Sequence, residues 1–466
     1  MTRKKQTEPL LPRGMRDFLP EEMMRRRKVI ETIREIFERY GYEPLETPAL
    51  ERIEVLAGKY GEEGEKLMFR VLKRGSGIEK LGKEIEELRI TNKREIIDLA
   101  LRYDLTVPLA RVVALNQGKI ALPFKRYQIQ PVWRAERPQR GRYREFYQCD
   151  VDTVGSPSMM ADAEIITIIN EILTKLGFSR FRIRINNRKV LNGIAEKAGV
   201  PEEKAIDLFI GIDKLEKIGL SGVEEELKNR GIAREAIAKI IPILEVKGDF
   251  KTVLSEAEKL LYGSKIGEEG LSELAELFNY ATSFGVPPGN LILDLSLARG
   301  LDYYTGPIYE SVVDEPRIGS LTGGGRYDNL IGMFLGRDIP ATGTSIGIER
   351  IIDALTELKM LPAEKTLSEV LVTVFDKESF PESAKVAREL RDAGINTTIY
   401  FEPGDKLSSQ LKYADKRGIP LAIIVGPDEI KEGVVAVKDL GSGKQEKVER
   451  RKFISLIKER IKKEGH

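Results

Sequence analysis

The apolar positions change period along the chain, and each change marks a part of it. Residues 21–40 (EEMMRRRKVIETIREIFERY) place Val29, Ile30, Ile33, Ile36 and Phe37 at helical spacing, and Gly41 closes that helix. YEPLETPALE follows as an extended, proline-marked segment, and residues 65–73 and 86–90 read as strands around a Gly-rich turn. The run Arg102 to Pro108 enters a helix that Asp104 or Thr106 can cap. The strongest β pattern spans Phe124 to Gly155, where strands near 124–135 and 144–154 flank the polar turn RPQRG, a long antiparallel hairpin. Side chains two apart on a strand share a face, so Phe146, Gln148, Asp150 and Asp152 line one side. A helix over 160–176 and a strand over 181–187 come next, and from 189 to 283 helix-forming residues dominate with few strand signals, which predicts an all-helical insert. Strand character returns at 291–313, read as a second hairpin turned at Thr305-Gly306-Pro307, and ATGTSIGIERIIDAL (341–355) is a strand or turn entering a helix. From 369 the order becomes βαβαβ, a small parallel or mixed α/β domain with neither a G-x-G-x-x-G fingerprint nor a catalytic cluster, hence a binding module.

Length and charge sharpen this picture. At 466 residues the chain is too long for one core and suggests about three domains. The net charge is only +2, so any nucleic-acid surface must come from local clustering. Such a cluster sits on the hairpin: seven basic residues (Lys125, Arg126, Arg134, Arg137, Arg140, Arg142, Arg144) face one acid, Glu136. From Glu369 onward the balance is 19 basic to 17 acidic, which argues against a non-specific basic tail. The single Cys149 excludes an internal disulfide and a cysteine-rich zinc site. The one histidine is His466, the last residue, which excludes histidine acid/base chemistry, a Ser-His-Asp triad and His metal sites. No apolar run approaches the ~18 residues of a membrane span and no signal-peptide core opens the chain, so the expectation is a soluble, cytoplasmic protein without a membrane partner.

The chemistry points to a polyphosphate substrate held without a P-loop, because no G-x-x-x-x-G-K-[ST] is present. Arg134 on the hairpin, Arg299 in LARGLDYYTG and Arg350 in GTSIGIERI sit in separate Gly-flanked settings, and a planar fork of donors suits phosphate oxygens. Acids beside these arginines suit a substrate that carries both a cation and phosphate. Gly323-Gly324-Gly325 permits close backbone approach to a ligand.

RAERPQRGRYREFYQCDVD resembles the second class motif of class II aminoacyl-tRNA synthetases, GIERII the third, and RGMRDFLP with the following helix and ETPALE the first. LARGLDYYTGPIYE is similar to a stretch peculiar to the histidine enzymes, and the likeness runs from Arg13 onward. The sequence thus resembles the histidyl-tRNA synthetases, specifically those of archaeal or eukaryotic type, with Asp104 and Asp152 where bacterial members have Glu. The resemblance implies an α+β fold: a class II antiparallel sheet with flanking helices, a helical insertion, and a C-terminal α/β anticodon-binding domain. Its boundaries would be 1–187 and 285–360 for the catalytic core, 188–284 for the insertion and 367–466 for the anticodon domain. It also implies a homodimer built on the first motif, and ATP-driven charging of tRNA(His) with L-histidine. Arg134, Glu136, Arg299 and Arg350 would bind ATP, with Mg2+ on its β and γ phosphates and the three arginines catalytic. Asp104, Thr106 and Gln148 would take the α-ammonium group; Asp152 and Tyr304, with Tyr303 beside them, would complete the histidine site. Gln139, Arg140 and Arg142 would address the tRNA acceptor end. Two alternatives share the resemblance: a non-catalytic histidine-binding paralogue regulating ATP phosphoribosyltransferase, and a synthetase-like tRNA-sensing module. The C-terminal domain and the three arginines weigh against the first, and the lack of a kinase signature against the second.

Overall fold

The computed structural model describes residues 8–72, 97–139, 141–298, 303–361 and 365–464. The chain divides into two compact units, one comprising Lys28–Met360 with the N-terminal residues up to Asp17, the other Leu361 onward with Phe18–Arg27.

The first unit is built on an eight-stranded sheet. In chain order its strands are β1 (Glu43–Pro44), β5 (Phe124–Trp133), β6 (Glu145–Val154), β7 (Phe181–Asn187), β8 (Leu291–Leu293), β9 (Pro307–Val313), β10 (Thr322–Arg326) and β11 (Ala341–Ile346). The intervening β2 (Leu50–Arg52), β3 (Arg70–Leu72) and β4 (Ile97–Leu101) make a separate three-stranded sheet. Across the large sheet the order is β1-β5-β6-β11-β10-β9-β7-β8, antiparallel from β5 through β7, with a parallel strand added at each edge. The helices include α1 (Pro20–Arg39), α2 (Thr106–Leu115), α3 (Met159–Lys175) and α4 (Ile348–Glu357), of which α2 and α4 reach the site.

Alternation sets which face each strand buries. In β7, Phe181, Ile183 and Ile185 turn inward, whereas Arg182 and Arg184 face polar partners; Arg184 pairs with Asp294 at 2.7 Å and Glu310 at 2.9 Å. The apolar stripe of α3 (Ile165, Ile166, Ile169, Ile172, Leu173) is buried, and Ser158 caps its first turn by accepting from the Met160 N–H. Between Asn187 and Leu291 the regular structure is helical, including Arg188–Ala198, Leu215–Asn229 and Lys265–Ser283.

Two sequence expectations fail here. Residues 291–313 are not a hairpin: β8 pairs parallel with one edge of β7 and β9 antiparallel with the other, so the two lie on either side of a strand some hundred residues upstream. The expected strand over 65–73 is present only as β3, its first two residues closing a short helix, Gly61–Lys66, while the one over 86–90 lies outside the described residues.

The second unit carries a mixed five-stranded sheet, in the order β13 (Thr397–Ile399), β12 (Val370–Val372), β14 (Leu421–Ile424), β15 (Val434–Asp439), β16 (Gln445–Glu449). β12 runs parallel to both neighbours, and the β14–β15 and β15–β16 pairs are antiparallel. Val370, Val372, Leu421, Ile423, Val435 and Val437 form one core with Val386, Leu390, Phe453 and Ile457 from two helices. The uniformly apolar runs of β12 (Val-Leu-Val) and β14 (Leu-Ala-Ile-Ile) reflect burial on both faces.

Candidate active site

One face of the antiparallel sheet carries a cavity of about 420 Å³, lined by β6, β9, β10 and β11, the start of α2, the hairpin loop and Tyr303-Tyr304. Phe146, Gln148, Asp150 and Asp152 all line it, as the pleat of β6 requires.

At one end Asp104 is 2% exposed. Its Oδ1 accepts from the Val107 N–H at 3.1 Å, capping α2, and from the Tyr60 hydroxyl at 2.8 Å. Its Oδ2 is buried with no hydrogen-bond donor among the described residues, and the same holds for Gln148 Oε1. The Gln148 amide donates through Nε2 to Ser345 Oγ at 2.8 Å. Thr106 bonds the Tyr303 hydroxyl, and Tyr303 in turn bonds Tyr304.

Deeper in, Asp150 and Asp152 are 2% and 3% exposed. The buried Arg126 guanidinium stands 2.9 Å from Asp152 Oδ2, and Tyr327 donates its hydroxyl to Asp152 Oδ1. Burial pushes Asp150 up to about 7, helped by Asp152 and opposed by Arg126. Burial also raises Asp104 and Asp152, with the backbone N–H of Val107 and the Arg126 charge respectively resisting. Three desolvated carboxyls against one buried arginine make a chamber that favours an incoming cation.

Toward the hairpin loop and α4 the lining is rich in arginine. Arg134 donates from Nε to the Tyr103 carbonyl at 3.1 Å and lies over the Tyr103 and Phe146 rings, 4.4 and 5.2 Å from their centroids. Arg350, on α4, donates to the Ser320 carbonyl at 2.7 Å, and Glu349 is fixed by Arg16 at 2.5 Å. Glu136 lines this end and stands 3.7 Å from Arg142, which is exposed. Gln139 and Arg142 exchange backbone hydrogen bonds at the loop tip, where Gln139 is exposed and outside the cavity lining. Arg140 and Arg299 lie outside the described residues.

Geometry changes three readings. Arg126, counted with the loop arginines, is wholly buried beneath Asp152 and serves the acid chamber. Arg144 donates from Nε to the Glu136 carbonyl at 3.0 Å, bracing the loop. Of the three glycines, a Cβ on Gly324 or Gly325 would strike the backbone of the adjoining strands, whereas one on Gly323 would meet nothing; strand packing explains the first two. Tyr327, Ser345 and Tyr60 are contacts the sequence reading missed. Among the described residues no group of three or more His, Cys, Asp or Glu can hold a metal.

A six-stranded antiparallel run with a polyphosphate-sized, arginine-ended pocket on one face defines the catalytic unit of a class II aminoacyl-tRNA synthetase. The sequence matches the family model "Histidyl-tRNA synthetase" over residues 14–351 and the model "Anticodon binding domain" over residues 369–460. The chain belongs to the histidyl-tRNA synthetase family. It is 44% identical over 445 residues to the histidine–tRNA ligase of Cytophaga hutchinsonii, covering 95% of this chain and 97% of that one. It is 43% identical over 457 residues to that of Gloeobacter violaceus, covering 93% and 95%. The crystal structure of histidyl-tRNA synthetase from Nostoc sp. PCC 7120 superposes with a TM-score of 0.83 at 35% identity, over 98% of this chain and all of that one. An ATP phosphoribosyltransferase regulatory subunit/histidyl-tRNA synthetase from Bacillus halodurans, at 24% identity and TM-score 0.71, shares the fold. The archaeal or eukaryotic affinity expected from Asp104 and Asp152 is not upheld, since these relatives are bacterial. A shorter carboxylate at two positions does not decide lineage. No helix among the described residues is long and apolar enough to cross a membrane.

Proposed function

We propose that the chain is a histidine–tRNA ligase that uses ATP as substrate and works as a cytoplasmic homodimer. The observation that carries this reading is the pair of buried acceptors, Asp104 Oδ2 and Gln148 Oε1, standing without donors among the described residues beside an arginine-lined cavity. An α-ammonium group supplies the donors that both lack, and family membership supplies the prior. Thr106 borders that subsite, and the imidazole enters the chamber of Asp152, Tyr303 and Tyr304. A wrong side chain there leaves buried polar groups unpaired, which discriminates strongly.

In the first step a histidine carboxylate oxygen attacks the α-phosphorus of ATP. The bond to the bridging oxygen breaks, and pyrophosphate leaves with the electron pair. Arg134 holds the α-phosphate, with Arg299 as its second cation; Arg350 holds the γ-phosphate and Glu136 orients the nucleotide. Such a transfer needs positioning and charge neutralisation more than covalent chemistry. Magnesium would arrive with the nucleotide substrate and neutralise phosphate charge, and Glu310 and Glu349, paired here with Arg184 and Arg16, are the lining carboxylates that would face it. In the second step a terminal ribose hydroxyl of tRNA(His) attacks the acyl carbon and AMP departs. Gln139, Arg140 and Arg142 address the acceptor end, and the second unit binds the anticodon.

The test is pyrophosphate exchange into ATP with each amino acid in turn. Exchange driven by histidine alone is expected. Purified protein that binds histidine and ATP without exchanging would remove the enzymatic reading.

A further inference from the structure

We propose that Tyr60 and Ser345 are positioning residues of the ammonium subsite, their hydroxyls fixing the Asp104 carboxylate and the Gln148 amide so that the two unpartnered oxygens face the cavity. This rests on the reading of the cavity as a histidine site. Tyr60 stands outside the cavity lining and acts through Asp104; Ser345 lies in the lining and acts through Gln148.

A carboxylate has two equivalent oxygens, and its orientation is set by whichever donors take one of them. Asp104 Oδ1 receives two: the Val107 N–H at 3.1 Å and the Tyr60 hydroxyl at 2.8 Å. The backbone donor ties the carboxylate to the start of α2. The second donor arrives from 44 residues upstream and sets its rotation. Tyr60 is well placed to hold it: the ring is 4% exposed, packs among Leu56, Met68 and Val107, and lies against Tyr103 with centroids 4.7 Å apart. With Oδ1 doubly bonded, Oδ2 is the oxygen left for a ligand.

The amide of Gln148 poses the reverse problem, because its two ends have opposite polarity. Ser345 stands opposite Asp150 in the β6–β11 register, which sets its hydroxyl beside the Asp150 carboxylate, an acceptor for its proton. A hydroxyl has one proton, so with that proton on Asp150 its oxygen can only accept from Gln148, at 2.8 Å from Nε2. Asp150 Oδ1, 3.4 Å from the same nitrogen, would repel an amide oxygen placed there. The chain Gln148 to Ser345 to Asp150 therefore runs in one direction, and Gln148 Oε1 is turned toward the cavity as an acceptor. Without Ser345 only the longer Asp150 contact opposes a flip that would present an NH2 group to the ammonium.

The experiment compares two ligands that differ only in the group concerned: L-histidine and 3-(imidazol-4-yl)propionate, which lacks the ammonium. Binding of each to full-length parent, Tyr60→Phe, Ser345→Ala and Ser345→Thr is measured by calorimetry, with KM for ATP read from histidine-driven exchange. Hydrogen bonds to charged groups support an estimate of roughly tenfold weaker L-histidine binding for Tyr60→Phe and for Ser345→Ala. The propionate analogue should bind each variant within about twofold of the parent, since the lost orientation concerns an ammonium it does not have. ATP should be unaffected, and Ser345→Thr, which keeps a hydroxyl, should restore L-histidine affinity. Equal weakening of both ligands would show a merely structural role and overturn the proposal; so would unchanged L-histidine binding. The two variants lie on different elements, so the failure of one to fold leaves the other as the test. A parent that prefers neither ligand would refute the histidine site itself, an outcome distinct from variants that fail to separate them.

Discussion

Arg126→Met tests the electrostatics of the acid chamber. Arg126 has no exposure, and its Nη2 lies 2.9 Å from Asp152 Oδ2. Its other side-chain bonds are long, 3.3 Å to the Leu105 carbonyl and 3.4 Å to Gln128 Oε1, so the ion pair dominates what is lost. Methionine keeps much of the volume and removes the charge. Removing one partner of a buried pair costs about 3–5 kcal/mol, because the other charge stays buried. At about 2 °C per kcal/mol for a unit of this size, Tm at pH 8 should fall by roughly 6–10 °C. The deficit should also depend on pH, with a definite sign. Burial already raises Asp150 and Asp152 above the ordinary carboxylate value, and Arg126 opposes that rise. Without it both folded-state values climb further. A carboxyl whose folded value lies above its unfolded one destabilises the fold as pH rises through that interval, and below the unfolded value, about 3.9, both states are protonated and the penalty vanishes. The Tm deficit should therefore shrink between pH 8 and pH 5. Scanning calorimetry at both pH values, run also on Asp152→Asn and the double variant, measures this; the Arg126 change should cost less once Asp152 is neutral. A loss below 2 °C at pH 8, or one that grows in acid, would refute the argument.

Gly343→Ala would push a Cβ into Asp152 Oδ1; KM for histidine in exchange should rise by about tenfold or more while KM for ATP holds, as expected for losing a hydrogen bond to a charged group. In Asp150→Asn the buried group that titrates at about 7 is gone. The parent loses stability between about pH 4 and that value, so the variant's Tm relative to the parent should be higher at pH 8 than at pH 5, and the reverse order would contradict the assignment. Phe401, 82% exposed two residues beyond β13, offers a ring on which an unpaired base would stack if the second unit binds the anticodon. Stacking worth about 1–3 kcal/mol implies that Phe401→Ala raises KM for tRNA roughly 5- to 150-fold with pyrophosphate exchange unchanged, and an altered exchange rate would place its role elsewhere.

What was legible in the sequence is what short-range periodicity encodes. The central hairpin has ten-residue strands, Phe124–Trp133 and Glu145–Val154, and their pleat alone brings Phe146, Gln148, Asp150 and Asp152 to one wall. The misread stretch at 291–313 failed for the opposite reason. Leu291–Leu293 and Pro307–Val313 are neighbours in sequence, but each finds its partner in Phe181–Asn187, across the whole helical insertion. Tyr60 was equally invisible: it stands in a segment without strong periodicity, and its bond to Asp104 depends on how Ile53–Leu56 and α2 pack.

Arg126 is different, because its role was written in the sequence and was obscured by counting. As one of seven basic residues it was pooled with the loop, though a strand sorts its charges by face. The register pairs Trp133 with Glu145, and stepping outward from that pair sets Gln128 opposite Asp150 and Arg126 opposite Asp152. Directly opposed residues project from the same side of a sheet, so locating the turn was enough to seat Arg126 beneath the acids and send Lys125 to the other face. The structure agrees on both counts: Lys125 pairs with Glu164 at 2.7 Å, on the side where α3 packs. One strand thus divides adjacent cations between two tasks. The outward one is a partly exposed ion pair of little energetic weight. The inward one lets three carboxyls share one cavity, and by only partly balancing them it leaves the negative excess that a histidine substrate, cationic at its ammonium, would complete.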